Sequence, residues 1–210
     1  MAIIKSGAST DQLTVDSTSK AARITNYDST GRELSLQAKQ TFMASSTFTP
    51  AATPTDLVII EGSATKTVRV ISFVITTTNT AAGSQQFFLI KRSTADTTGT
   101  FVAATAVPFD SNNSASTVNR VGHFTANPGA LGTAVGTIVT KRVASPVAVP
   151  ATFAGIVSDA GVQLLDFSSN TLLDQPITLR GVAQCLALNF NGAALVAGQT
   201  HAYYLSWIEE

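Results

Sequence analysis

Short runs rich in Val, Ile, Thr, Phe and Tyr recur along most of this chain, and Gly, Pro, Asn or Asp closes nearly every one. That rhythm is the signature of strands joined by turns. It predicts strands near Leu57–Glu61, Thr67–Thr77, Gln85–Lys91, Phe101–Phe109, Asn119–Thr125, Thr137–Val143, Gln163–Phe167, Ile177–Leu179, Gln184–Phe190 and Thr200–Ile208. Turn signals stand between them, at Ala82-Gly83, Asp96 to Gly99, Asp110 to Asn113, Asn127-Pro128-Gly129 and Asn191-Gly192. Helical periodicity is faint, and its best candidates, Ser35 to Met43 and Ala151 to Val157, are short and poorly capped. Many short strands at this spacing predict an all-β chain, an antiparallel β-sandwich of jelly-roll-like form.

Two of these strands are apolar on both sides. In Thr67–Thr77, strict alternation puts Val68, Val70 and Val74 on one face and Ile71, Phe73 and Ile75 on the other. In Gln85–Lys91, Phe87 and Leu89 oppose Phe88 and Ile90. A sheet with one wet face alternates apolar with polar residues, so these strands call for cover on both faces. A single sandwich has few elements to spare, and the expected cover is another chain. The last strand reads more simply: His201, Tyr203, Leu205 and Trp207 share a face, and the segment should sit within a sheet almost to Glu210.

Residues 1–40 have a different texture. Small β-like patches (Ala2–Lys5, Gln12–Asp16, Ala22–Tyr27, Glu33–Gln37) alternate with polar turns, and none is long enough to nucleate a core. The expectation is an extended N-terminal arm over 1–40 that adds short strands to neighbouring sheets, followed by a sandwich domain over 41–210. Ile3, Ile4, Leu13, Val15, Ile24 and Tyr27 of the arm, with Ile71, Phe73 and Ile75 of the sandwich, make the candidate assembly interface.

Composition removes several classes of function. Charged residues make up 12% of the chain, and thirteen basic residues cancel thirteen acidic ones. A nucleic-acid partner calls for a basic field that displaces counterions, and a membrane surface calls for a similar cluster; neither partner is expected. A surface this weakly charged does little to oppose association. Met1 to Lys5 turns polar at Ser6 before an apolar core develops, which does not fit a secretory signal. Cys185 is the only cysteine, set in an apolar run, and reads as a small buried hydrophobe.

Catalytic constellations are equally sparse. His123 and His201 have no neighbours at metal-ligand spacing and read as structural residues. Gly62 to Thr67 lacks the Gly directly before Lys66 that a phosphate loop needs. Asp110, Asp159, Asp166 and Asp174 stand near turns, where Asp closes Asx-turns. No catalytic residue, metal or cofactor is expected.

The two ends of the chain carry a resemblance. Ile4-Lys5-Ser6-Gly7-Ala8-Ser9-Thr10-Asp11 with Leu13, Val15 and Asp16, then Ser19-Lys20-Ala21-Ala22-Arg23-Ile24 with Tyr27-Asp28 and Gly31, resembles the start of small virion structural proteins of tailed bacteriophages. Leu179-Arg180-Gly181, Leu186, Leu188-Asn189 and Asn191-Gly192, then a Gly198-led strand closing on Trp207 and Glu209, resembles the β-sandwich of phage head or tail accessory proteins. The resemblance implies a non-enzymatic virion part assembled in the host bacterial cytoplasm. The favoured form is a capsid decoration or cement protein, a homo-oligomer and specifically a homotrimer, bound to the major capsid protein or other virion proteins. Alternatives are a tail fibre or tail-adaptor subunit and, from another class, a carbohydrate-binding module for host surface glycans. The last predicts exposed aromatic side chains, whereas Tyr203, Tyr204 and Trp207 lie within a strand.

Overall fold

A computed structural model describes residues 14–15, 22–23, 39–81, 83–145, 162–166 and 176–210. The chain divides into two units, 1–38 and 39–210. In the first, β1 (Thr14–Val15) pairs antiparallel with β2 (Ala22–Arg23), with Thr14 opposite Arg23. Both fall inside patches anticipated from sequence; the remainder of the expected arm up to residue 38, with Ile3, Ile4, Leu13, Ile24 and Tyr27, lies outside the described residues, and Lys39 and Gln40 belong to the second unit.

The second unit is all-β, with no helix among the described residues. Its strands are β3 (Gln40–Phe48), β4 (Asp56–Glu61), β5 (Val68–Thr78), β6 (Gly83–Arg92), β7 (Thr100–Ala103), β8 (Val107–Pro108), β9 (Val121–Ala126), β10 (Ala134–Ser145), β11 (Val162–Asp166), β12 (Ile177–Leu179), β13 (Cys185–Asn189) and β14 (Thr200–Glu209). One sheet runs β10-β6-β13-β4-β9-β7; the other runs β11-β5-β14-β3-β8, with β12 also on β5. Every pairing is antiparallel. The two sheets pack face to face around one core of Phe42, Phe48, Val58, Ile60, Phe73, Ile75, Phe87, Leu89, Leu186, Leu188, Leu205 and Trp207, among others. This is the expected antiparallel β-sandwich.

Alternation explains most of the register. In β14, His201, Tyr203, Leu205 and Trp207 all point into the core, as the sequence pattern predicts. Beyond it, Glu210 exchanges backbone hydrogen bonds with Thr67 at 2.8 and 3.0 Å, so the sheet does extend to the last residue. In β6, Phe87 and Leu89 are buried while Phe88 and Ile90 on the opposite face are half-buried.

Three expectations are corrected. Val68 and Val70 face the core, but so do Phe73 and Ile75, because β5 carries a bulge: Ser206 pairs with Ser72 and Trp207 with Val70, leaving Ile71 as the extra residue. An inserted residue reverses the facing of everything after it. Second, residues 40–43, expected at the end of a weak helix, open β3, whose nine residues pair with β14 and whose Phe42, Ala44 and Phe48 enter the core. Pairing and burial override a weak helical preference. The other helical candidate, 151–157, lies outside the described residues. Third, the single strand expected over Phe101–Phe109 splits into β7 and β8, which belong to different sheets.

Candidate functional site

Four of the candidate interface residues, Val15, Ile71, Phe73 and Ile75, fall among the described residues. Val15 lies in β1 of the first unit. Phe73 and Ile75 are fully buried in the sandwich core, with Ile71 half-buried on the opposite face. The core of the chain itself, not a neighbour, covers Phe73 and Ile75.

Leu131 and Val182 are exposed in loops and Tyr204 on the central strand β14, while the other large exposed apolar residues lie at the sheet edges. Val135 and Ile138 are exposed on β10, Val102 on β7, and Val107 on β8 with Phe109 just beyond it. Phe109 is 64% exposed although its amide is fixed to the Thr41 carbonyl at 2.9 Å. These edges also carry features that oppose open-ended strand pairing. Two register shifts interrupt β10, at Val135 and Ile138 themselves. Pro108 stands in β8, which is two residues long. Docking at such edges favours side-chain packing over added strands.

The central strands of the first sheet, β4 and β13, are buried on both faces. β4 is buried at all six of its residues. Val58 and Ile60 enter the main core, while Ile59, Ala187 and Phe124 form a second small cluster with Phe101. The register slips between Leu188 and Asn189; Leu57 joins the core and Asp56 meets Arg92. Arg92 holds Asp56 through two hydrogen bonds, from Nε at 2.7 Å and from a terminal nitrogen at 2.9 Å. It also donates to the Gly132 carbonyl at 2.6 Å, and Asn189 donates to Asp56. Asp96 lies 3.6 Å from Arg92 and accepts the Gly132 amide at 2.8 Å. Arg120 bonds Glu61 at 2.5 and 2.8 Å, reaches the Asp96 carbonyl at 2.7 Å, and sits 5.2 Å over the Phe101 ring.

Asp56, Asp96, Glu61 and Arg92 are buried. Burial first, then the neighbouring Asp56 charge, pushes the Asp96 carboxyl up to about 7. Burial, aided by Asp96 and Asp56, drives the Cys185 thiol up to about 12, which keeps it protonated and inert. No residue spacing announces this network; Asp96 stands in the sequence only as the start of a turn signal.

A second polar group ties the last strand to the loop before β9. Glu209 accepts from Ser116 Oγ at 2.5 Å, from the Thr117 amide at 3.0 Å and hydroxyl at 2.7 Å, and from Trp207 Nε1 at 3.0 Å. Burial works to raise this carboxyl, and those donors overcome it, holding Glu209 below the usual carboxylate range.

Both histidines are buried and structural in their packing. His123 stacks on Phe48 at 4.4 Å between ring centres, and His201 lies 5.3 Å from Phe190 with Nδ1 2.9 Å from Thr77 Oγ1. Burial lowers both, His201 to about 4. Asp110 closes an Asx-turn onto the Asn112 amide at 2.9 Å, as expected. Asp159 and Asp174 lie outside the described residues. No group of His, Cys, Asp and Glu among the described residues is placed to hold a metal ion. An open depression of about 430 Å³ is lined by Thr49, Ala52, Leu195, Val196, Ala197, Gly198, Gln199 and Thr200, with no titratable side chain. No protein-family model, curated protein or solved structure matches the chain.

Proposed function

We propose that this chain is a non-enzymatic structural subunit of a tailed-bacteriophage particle, a decoration or cement protein that joins the capsid as a homo-oligomer. The observation that carries the reading is the placing of exposed apolar residues, Phe109 and Val107 foremost, on sheet edges of a chain with little charge. Removing apolar area from water contributes roughly 25 cal/mol per Å², so a modest contact gains weight when repeated over a shell. The phage resemblance of both chain ends supports the same reading. Tyr203 and Trp207 are core residues, and Tyr204 alone of that aromatic stretch is exposed, which favours assembly over a glycan platform.

The test is to locate the chain in intact particles by cryo-electron microscopy. Density over the shell supports cement, density at the portal or baseplate transfers the reading to a tail adaptor, and absence from particles overturns both. A Val107→Asp, Phe109→Asp double variant should keep the wild-type unfolding midpoint and lose most of its incorporation. Full incorporation would remove the edge from the contact.

A further inference from the structure

We propose that Asp96 holds a proton shared with Asp56, and that this proton clamps the paired loops 93–99 and 127–133 over the outward face of the first sheet. Three acids, Asp56, Asp96 and Glu61, meet two guanidiniums, Arg92 and Arg120, and each acid is at most 2% exposed. One negative charge is left unbalanced among buried carboxyls, where an uncompensated charge is costly. Cys185, the remaining titratable neighbour, supplies no positive charge. Independently, Asp96 Oδ2 is buried with no hydrogen-bond donor, and both carboxyls crowd one nitrogen, Arg92 Nε, Asp56 at 2.7 Å and Asp96 at 3.6 Å. Two carboxylates can only repel there. With one proton added, Oδ2 becomes a donor to Asp56 and the surplus charge disappears.

The proton belongs on Asp96. Asp56 already accepts both bonds from Arg92 and one from Asn189. Asp96 has only the Gly132 amide and a longer approach to Arg92. Asp96 is also the residue that fastens the loops. Its carboxyl holds Gly132, its carbonyl takes Arg120, and Thr97 pairs with Ala130 next to it. The fit at Gly132 is close: a Cβ there would stand 1.8 Å from the Thr94 carbonyl oxygen. Ionisation places the unbalanced charge at this junction, and the loops loosen.

The carboxyl carbon of Asp96, followed by ¹³C NMR in the full chain, should titrate near pH 7; a midpoint in the ordinary carboxylate range would overturn the proposal. Protection of the Gly132 amide from hydrogen exchange, corrected for intrinsic rate, should fall by up to roughly a thousandfold between pH 4 and pH 7. Asp96→Asn, which keeps a donor toward Asp56 without the charge, should abolish that dependence. Equal pH dependence in both proteins counts against the clamp. Calcium added at neutral pH should leave the Asp96 resonance unmoved, and a saturable shift would assign the pair of carboxyls to a cation instead.

Discussion

Glu209 keeps its charge where water cannot reach it, and its donors make that tolerable. Ser116, Thr117 and Trp207 all point hydrogens at one carboxylate, with Lys66 3.7 Å away. Glu209→Gln would replace one acceptor oxygen with an amide that faces donors, leaving buried groups unsatisfied. The expected loss is about 2 to 4 kcal/mol, read as a lower urea midpoint at unchanged m-value. A loss under half a kcal/mol would show that water reaches the site. Almost nothing in the sequence announces this role. Glu209 sits in a tail whose neighbours suggest only a strand, and two of its partners, Ser116 and Thr117, come from about ninety residues earlier. Asp96 and Arg92 are hidden for the same reason, since buried ion pairs are made by topology and leave no spacing rule behind.

Whole elements were more legible, wherever a strand's own residues set its facing. The pattern of β14 is regular from His201 to Trp207, and all four inward positions were readable. β5 defeats that reasoning because its bulge is defined against β14, and period-two reading carries no information about a partner's register. β3 was missed because Ala44, Ser45 and Ser46 interrupt its β-like composition, though Phe42, Ala44 and Phe48 do alternate. The bulge makes a clear prediction. Phe73→Ala should cost about 3 to 5 kcal/mol, as large-to-small changes in a packed core do. Ile71→Ala, on the half-buried outer side, should cost about 1 kcal/mol or less. Comparable losses at both positions would restore the unbroken alternation.

At the scale of the whole molecule, Asp96 and His201, two buried groups whose shifts fall between about pH 4 and pH 7, oppose each other. Asp96 is raised to about 7 in the fold from an ordinary value near 3.8; folding therefore takes up a proton there. The stability it supports is complete below about pH 4 and is lost as pH rises to about 7. His201 is lowered to about 4 from 6.5; folding releases a proton there. Its contribution is complete above pH 6.5 and is lost as pH falls to about 4. The effects amount to about 4 kcal/mol for Asp96 and about 3 kcal/mol for His201 at about 1.36 kcal/mol per pH unit, over nearly the same interval and with opposite sign. The wild-type unfolding free energy should therefore change little between pH 4.5 and 6.5, with His123, also lowered by burial, tilting it slightly upward with pH. Single variants should expose the hidden slopes. Asp96→Asn should gain stability steadily as pH rises through that window, and His201→Gln should lose it. Chemical denaturation of the three proteins at several pH values is a sufficient measurement. Parallel profiles would mean that the core histidine and the clamped carboxyl do not exchange protons with folding in the way their burial requires.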